Sequence, residues 1–338
     1  MELDSLGRNI IVIGASAGGV EALRSLFRSL PADLPAAFLV VLHIPPHSPS
    51  ELSRILARET RMDVISVQAS QSLRTSTVYV ASADHHLLLT KEGVRLTRGP
   101  KECRVRPAID VLFRSASVAY DSRVIGVILT GALDDGTAGL WAIKDRNGTA
   151  LVQDPSEATY DSMPRSAIEH VETDFIGTLA ELANQIATRV RLPIEQLVIS
   201  PLNERHLIET SISEHGNGLE AGVMNIGNIS NYTCPDCHGV LVQVKEGSIV
   251  RFRCHTGHAF SIKTLIAEVN AAIDTGLWDA LRAIEERIML LRQMGDLAEA
   301  QGSKEDAELS RSQAKDAEER LKPLRELVLD PNFFAPVE

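Results

Sequence analysis

Three segments of this chain set a serine, a histidine and a pair of carboxylates just after apolar runs, and a fourth gathers cysteine and histidine. The first is Gly14-Ala15-Ser16-Ala17-Gly18-Gly19, which follows the apolar run Asn9–Ile13 and opens a helical pattern over Gly19–Leu30. A serine on such a strand-to-helix turn projects its hydroxyl from a sheet edge, and the free N–H groups of a helix start favour an oxyanion beside it. Glycine-rich turns also cradle phosphates, and a serine there can be a plain helix cap. The second segment is Val40-Val41-Leu42-His43-Ile44-Pro45-Pro46. A dinucleotide site wants an acidic residue at the end of the second strand; His43 stands there instead, where a general base belongs. The third is Val127–Gly136, a buried-strand pattern that runs into Asp134 and Asp135. A carboxylate at that edge would orient His43, and His43 would take the proton of Ser16. Each residue alone has an ordinary structural reading as a cap or a backbone-bonded side chain. Their coincidence at three strand ends favours a serine hydrolase over a nucleotide site.

The fourth segment carries metal chemistry. Cys234 and Cys237 form a Cys-x2-Cys pair, 16 residues separate it from Cys254, and His255 and His258 follow. Between the pairs, Val240–Val244 and Ile249–Phe252 flank Lys245-Glu246-Gly247 as a hairpin, the layout of a zinc ribbon. Three thiolates and one imidazole would close a tetrahedral, structural zinc site. His258 is the preferred fourth ligand because a Cys-x3-His turn suits a chelating knuckle, with His255 second. A redox Cys-x2-Cys is the alternative. His85 and His86 open a hairpin strand without a matching partner and read as structural or surface residues, as do His47, His170, His206 and His215.

These side chains need a scaffold, and the hydrophobic periodicity supplies one. Strand patterns at Asn9–Ile13, Phe38–Leu42, Val78–Ala81, Val124–Thr130 and Thr149–Val152 alternate with helical patterns at Gly19–Leu30, Ser50–Glu59, Ala108–Tyr120, Ala138–Asp145 and Pro164–Val171. Leu87–Thr90 and Val94–Thr97 make a hairpin. Alternation of this kind predicts an α/β fold, a doubly wound, mostly parallel sheet whose functional groups lie at the carboxyl ends of the strands. Residues 196–231 are rich in Gly, Asn and Ser and read as a linker. Residues 232–260 hold the Cys/His unit, and 261–338 carry helical stripes broken at Gly302-Ser303, an expected helical hairpin.

Composition narrows the class of function. The 338 residues carry a formal charge of -11, which argues against a nucleic-acid groove. No apolar run is long enough to span a bilayer, and Met1–Arg8 has no leader pattern. Four cysteines, three of them clustered, fit a metal site in a reducing compartment, so a cytoplasmic protein is expected.

The same residues carry a resemblance. Gly14–Gly19, Leu42–Pro46, Arg106–Phe113, Leu129-Thr130-Gly131 with Asp135-Gly136, and Met163-Pro164-Arg165 resemble, in order and spacing, motifs of the chemotaxis protein-glutamate methylesterases of the CheB type. The resemblance covers about Asn9 to Ala187, and the catalytic domain is expected over residues 7–195. It implies Ser16 as nucleophile, His43 as base and then acid, Asp135 rather than Asp134 as orienting carboxylate, and backbone N–H groups at Ala17 and Ala132 for the oxyanion. It implies hydrolysis of glutamate methyl esters on chemoreceptor-like proteins, with deamidation of glutamines, and no cofactor in catalysis. Ala17 stands where the family has threonine, and Ala132-Leu133 stands where it has Met-Gly. The first strand begins at Asn9, so a preceding receiver domain is not expected. A regulatory protein bound through the C-terminal module is a further expectation. The alternative is a signalling adaptor with a degenerate esterase site.

Overall fold

The computed structural model describes residues 7–47, 50–194, 201–330 and 333. The leader reading for Met1–Arg8, the 195/196 boundary and the end of the helical segment fall wholly or partly outside these residues. Buried apolar runs rich in β-branched residues form the central strands. In chain order the first elements are β1 (Ile10–Ala15), α1 (Gly19–Ser29), β2 (Ala37–Leu42), α2 (Leu52–Leu56), β3 (Asp63–Ser66), β4 (Thr77–Val80), β5 (His86–Thr90) and β6 (Gly93–Thr97). Then come α3 (Ile109–Tyr120), β7 (Val124–Ile128), α4 (Thr137–Asp145), β8 (Thr149–Gln153), α5 (Ser162–His170), β9 (Phe175–Gly177) and α6 (Leu179–Arg191).

Seven strands form one parallel sheet in the order β3-β4-β2-β1-β7-β8-β9. Strand β1 lies at its centre and is buried on both faces. Its side chains alternate as strand geometry requires. Ile11 and Ile13 join the apolar layer under α1, α2 and α6, while Ile10 and Val12 join the layer under α3, α4 and α5. The fold is therefore the doubly wound α/β sheet that the alternating periodicity predicts. The short strands β3 and β9 and helix α6 add to the elements expected from the pattern. Helix α6 begins in a capping box, with Thr178 and Glu181 bonding each other's backbone N–H.

The next segment departs from the linker reading. Residues after 200 form α7 (Glu204–His215), the short α8 (Gly218–Ala221) and β10 (Asn228–Thr233). Helix α7 is capped by Asn203, and its buried residues are His206, Glu209, Ile212 and Ser213. Its inner face is thus largely polar, so hydrophobic periodicity does not reveal it. β10 pairs with β11 (Val240–Glu246), which pairs with β12 (Ile249–Cys254), which pairs with β13 (Ala259–Ser261), an antiparallel sheet.

Buried charges fasten this small sheet to the larger one. Glu209 of α7 receives Arg251 in a bidentate pair at 2.8 and 2.8 Å, and Arg253 Nε at 3.1 Å. Arg114 of α3 donates to Glu102 at 2.9 and 3.3 Å and lies 3.5 Å from Glu209. Arg253 also meets Glu102 at 2.7 Å, and Arg251 meets Glu246 at 2.6 Å. Burial alone would raise the carboxyl of Glu209, but Arg114, Arg251 and Arg253 outweigh it and hold the group well below the usual carboxylate range. Residues to Thr264 accordingly form one compact unit.

The second unit is Leu265–Glu338. Helix α9 (Ile262–Ala300) runs into it and is followed by α10 (Lys304–Leu329), with Gly302 at φ 81° in the turn between them. Leu281, Ile288 and Leu291 pack on Ala314, Ala317 and Leu321. Arg292–Glu318 and Arg325–Glu285 pairs flank that seam.

Candidate active site and metal centre

The parallel sheet brings its functional groups to the carboxyl ends of β1, β2 and β7. Ser16 follows β1, and its N–H donates to Thr130 O at 3.0 Å, beyond the end of β7. His43 follows β2, with its N–H on Ala15 O at 3.1 Å. The His43 ring lies between two partners: Nδ1 is 3.1 Å from Ser16 Oγ, and Nε2 is 2.8 Å from Asp135 Oδ2. Asp134 faces away and accepts from Ser261 Oγ at 2.8 Å.

Asp135 is set by the start of α3. Its carboxylate accepts the N–H groups of Ile109 at 2.7 Å and Asp110 at 3.1 Å, two of the unpaired donors at a helix N-terminus. The preceding N–H, from Ala108, donates to His86 Nδ1 at 3.2 Å, and His86 Nε2 donates to Pro100 O at 2.9 Å. Burial pushes the His86 imidazole down to about 4, so it stays neutral and keeps one acceptor for Ala108. Asp110 takes the Gly139 N–H at 2.6 Å. Burial, then the neighbouring Asp135, pushes its carboxyl up to about 8.

Thr130 braces the serine turn. Its hydroxyl can donate to Ala17 O at 3.0 Å or Tyr160 O at 3.1 Å, and it accepts Tyr160 N–H at 2.9 Å. No acceptor among the described residues takes the N–H of Ala17 or Ala132. Gly131 is needed for close approach: a Cβ there would lie 2.1 Å from Met163 Sδ and 2.8 Å from Ser16 Cβ. Leu133, by contrast, adopts φ 62°, in the left-handed region that glycine occupies without strain. The loop thus keeps a positive φ with a branched side chain. Leu133→Gly is expected to raise unfolding stability by about 0.5–1 kcal/mol, read from the midpoint of urea denaturation. A loss of stability would mean that packing of the side chain outweighs the backbone strain.

Ser16, His43, Asp135, Ala132 and Leu133 share a cavity of 360 Å³ with Cys103, Arg104, Val105 and Thr264. The Cys103 wall is tied to the small sheet, since Cys103 N–H donates to Ala259 O at 2.9 Å and Ala259 N–H to Lys101 O at 3.2 Å. Ser261 and Thr264 bond each other reciprocally where α9 begins, Ser261 N–H to Thr264 Oγ1 at 2.8 Å and Thr264 N–H to Ser261 Oγ at 3.1 Å.

A second constellation lies at one end of the small sheet. Cys234 Sγ is 3.7 Å from His258 Nδ1, Cys254 Sγ is 3.6 Å from the same nitrogen, and Cys237 Sγ is 3.6 Å from Cys254 Sγ. The four ligand atoms all lie within 4.8 Å of one another. A tetrahedron with metal–sulfur bonds of about 2.3 Å and metal–nitrogen bonds of about 2.0 Å has edges of roughly 3.5–3.8 Å, so the donor set fits a tetrahedral metal. Two tight turns present the ligands: Cys234 N–H bonds Gly239 O at 2.7 Å, and Cys254 N–H bonds His258 O at 3.0 Å. His255 lies against Gly239, outside the group.

The CheB methylesterase family pattern matches residues 11–186. A putative protein-glutamate methylesterase/protein-glutamine glutaminase of Leptospira interrogans is 40% identical over 174 residues, which are 51% of this chain and 90% of that protein. This chain belongs to the CheB methylesterase family. Another member, the Methanosarcina mazei protein-glutamate methylesterase/protein-glutamine glutaminase 2, is 36% identical over 192 residues, 54% of this chain and 52% of that protein. The chain thus spans about half the length of the archaeal relative. The CheB methylesterase catalytic domain of Thermotoga maritima superposes with a TM-score of 0.51 at 32% identity, covering 53% of this chain and 97% of that one. The family match ends at residue 186, so α7, the small sheet, α9 and α10 lie beyond the CheB pattern.

Sequence reasoning missed three contributors to this CheB-type site. His86 carried no visible partner, because Ala108 and Pro100 meet it only through the backbone. Asp110 was visible only inside the motif Arg106–Phe113. Thr130 lies in the Leu129-Thr130-Gly131 motif, but its bracing role depends on the Tyr160 loop.

Proposed function

We propose that this protein is a serine hydrolase that removes methyl esters from glutamate side chains of chemoreceptor-like proteins and deamidates particular glutamines. The observation that carries this reading is His43 bridging Ser16 Oγ and Asp135 Oδ2. With its proton on Nε2, toward Asp135, the imidazole offers Nδ1 as acceptor to the serine hydroxyl. Ser16 Oγ then adds to the ester carbonyl while His43 takes its proton. The N–H groups of Ala17 and Ala132 are free to receive the oxyanion. Collapse of the tetrahedral intermediate expels methanol, protonated by His43, and water hydrolyses the acyl-enzyme by the reverse relay. An amide follows the same path with ammonia as leaving group. Asp135, fixed by the start of α3, orients the ring throughout. Methanol release from methyl-esterified receptor fragments tests the reading, with covalent labelling of Ser16 by a fluorophosphonate probe as a substrate-independent check. No release and no labelling would overturn it.

The reading includes structural zinc on Cys234, Cys237, Cys254 and His258. The closed four-donor set leaves no position for substrate, so the metal would hold the turns and contribute folding energy. One zinc per chain is expected by elemental analysis of freshly purified protein. Chelation is expected to lower the thermal unfolding midpoint and disorder β11–β13 by backbone amide exchange. Zinc-free protein that keeps the same midpoint would refute the site. The reading also sets the protein in the cytoplasm, where the four unpaired cysteines stay reduced. No helix among the described residues is long and apolar enough to cross a membrane. Trp278, Met289, Leu290 and Met294 are exposed on α9 and offer a regulatory protein an apolar contact.

A further inference from the structure

The buried carboxylates Glu102 and Glu209 are answered by guanidinium groups, those of Arg114, Arg251 and Arg253. A second buried acidic group lacks that answer. Asp110, Asp135 and Cys103 are 2%, 3% and 7% exposed, and a carboxylate oxygen of each aspartate and the thiol sulfur lie within 4.8 Å of one another. Among the described residues no Lys or Arg pairs with either carboxylate, and the Cys103 thiol has no hydrogen-bond partner. Buried charges are ordinarily paired or bound to a metal. The aspartates also have lone pairs to spare. Asp135 Oδ2 takes His43 Nε2 and the Ile109 N–H, whereas Oδ1 takes the Asp110 N–H alone among the described residues. Asp110 Oδ1 takes the Gly139 N–H, and its Oδ2 takes no described donor. A carboxylate has about four accepting positions, so each aspartate keeps at least one.

Electrostatics and access agree with the donor count. Burial, then Asp135, pushes Asp110 up to about 8, and burial, then Asp135 and Asp110, pushes the Cys103 thiol well up. Cys103 and Asp135 line the 360 Å³ catalytic cavity, so an ion has a way in. We propose that Cys103 Sγ, Asp110 and Asp135 form an inhibitory site for a thiophilic divalent cation, zinc foremost, separate from the centre at Cys234. A sulfur and two oxygens on tetrahedral zinc stand about 3.3–3.7 Å apart, so the donors have to close by about 1 Å. Three protein donors leave a fourth position for water from the cavity. The thiol proton passes to solvent as the sulfur coordinates. With a dication on Asp135, that carboxylate no longer stabilises a protonated His43, and ester hydrolysis stops. The inhibition rests on the esterase reading; the binding does not.

The test compares the full-length protein with Cys103→Ser, a nearly isosteric change that removes the sulfur donor, and with Cys103→Ala, folding being verified by circular dichroism. In equilibrium dialysis against zinc, wild type is expected to hold one more ion per chain than either variant. With cadmium as probe, wild type minus variant should show the ultraviolet charge-transfer band of one added thiolate–cadmium bond. Methanol release is then followed against zinc, relative to each protein's own zinc-free rate. The half-inhibiting zinc concentration should rise at least about tenfold in both variants. Magnesium, which prefers oxygen ligands and keeps its waters, should not inhibit. Equal zinc uptake by wild type and variants, equal half-inhibiting concentrations, or inhibition by magnesium at the same concentration as zinc would overturn the site. An extra zinc that depends on Cys103, with no methanol release from any of the proteins, would overturn the esterase reading and uphold the metal site.

Discussion

Replacing Ser16 by alanine is expected to lower kcat for methyl-ester hydrolysis by at least about 10⁴-fold. The serine oxygen is the atom that would bond the substrate carbonyl, and no other hydroxyl lies on His43 Nδ1 among the described residues. Since the oxyanion donors and the cavity remain, KM should change far less than kcat. Asp135→Asn should also be severe, because it leaves His43 without its orienting carboxylate. The double variant should be hardly worse than Ser16→Ala, since the three groups act as one unit. Single-turnover methanol release, with circular dichroism to verify folding, makes the comparison. More than about a hundredth of the wild-type rate in Ser16→Ala would remove Ser16 from the role of nucleophile.

The largest expected effect on stability lies far from the serine. Glu209→Ala should destabilise the compact unit by about 3–5 kcal/mol, because it strands arginines that have no water to turn to. Glu209 serves Arg251 at 2.8 Å, Arg253 at 3.1 Å and Arg114 at 3.5 Å, all nearly fully buried. Glu209→Gln keeps the volume and separates lost charge from lost packing. Because the folded carboxyl titrates well below its unfolded value of about 4.3, its stabilisation is complete above that pH and fades as the solution is acidified further. Urea unfolding of wild type and variant should therefore converge in strong acid. A loss below about 1 kcal/mol at neutral pH would show that the cluster relaxes or admits water.

How much of this was legible follows from which faces are apolar. The core of the large sheet was readable because β1, β2, β7 and β8 are continuous apolar runs, and their ends gave the serine, the histidine and both aspartates. Choosing Asp135 over Asp134 needed the family resemblance, since both follow the same strand; in the structure only Asp135 meets His43. Helix α7 was unreadable because Glu209, Ser213 and His206 occupy its inner face, and the partners that make this tolerable, Arg114, Glu102, Arg251 and Arg253, lie far away in the sequence. The two-residue turn at Cys103-Arg104, with φ values of 50° and 73°, was equally silent, because neither residue type favours that backbone. Hydrophobic pattern reports burial against apolar neighbours and carries no record of burial against opposite charge.

The buried cluster of Glu102, Arg114, Glu209, Arg251 and Arg253 also bears on how such a protein can change over generations. Its members come from a loop and a helix of the large sheet, from α7 and from β12. No single one can be lost neutrally, because each leaves an opposite charge behind. Substitutions there have to arrive together or be compensated at once. The cluster therefore makes the two sheets interdependent: neither can be redesigned or exchanged alone without stranding a charge in the other.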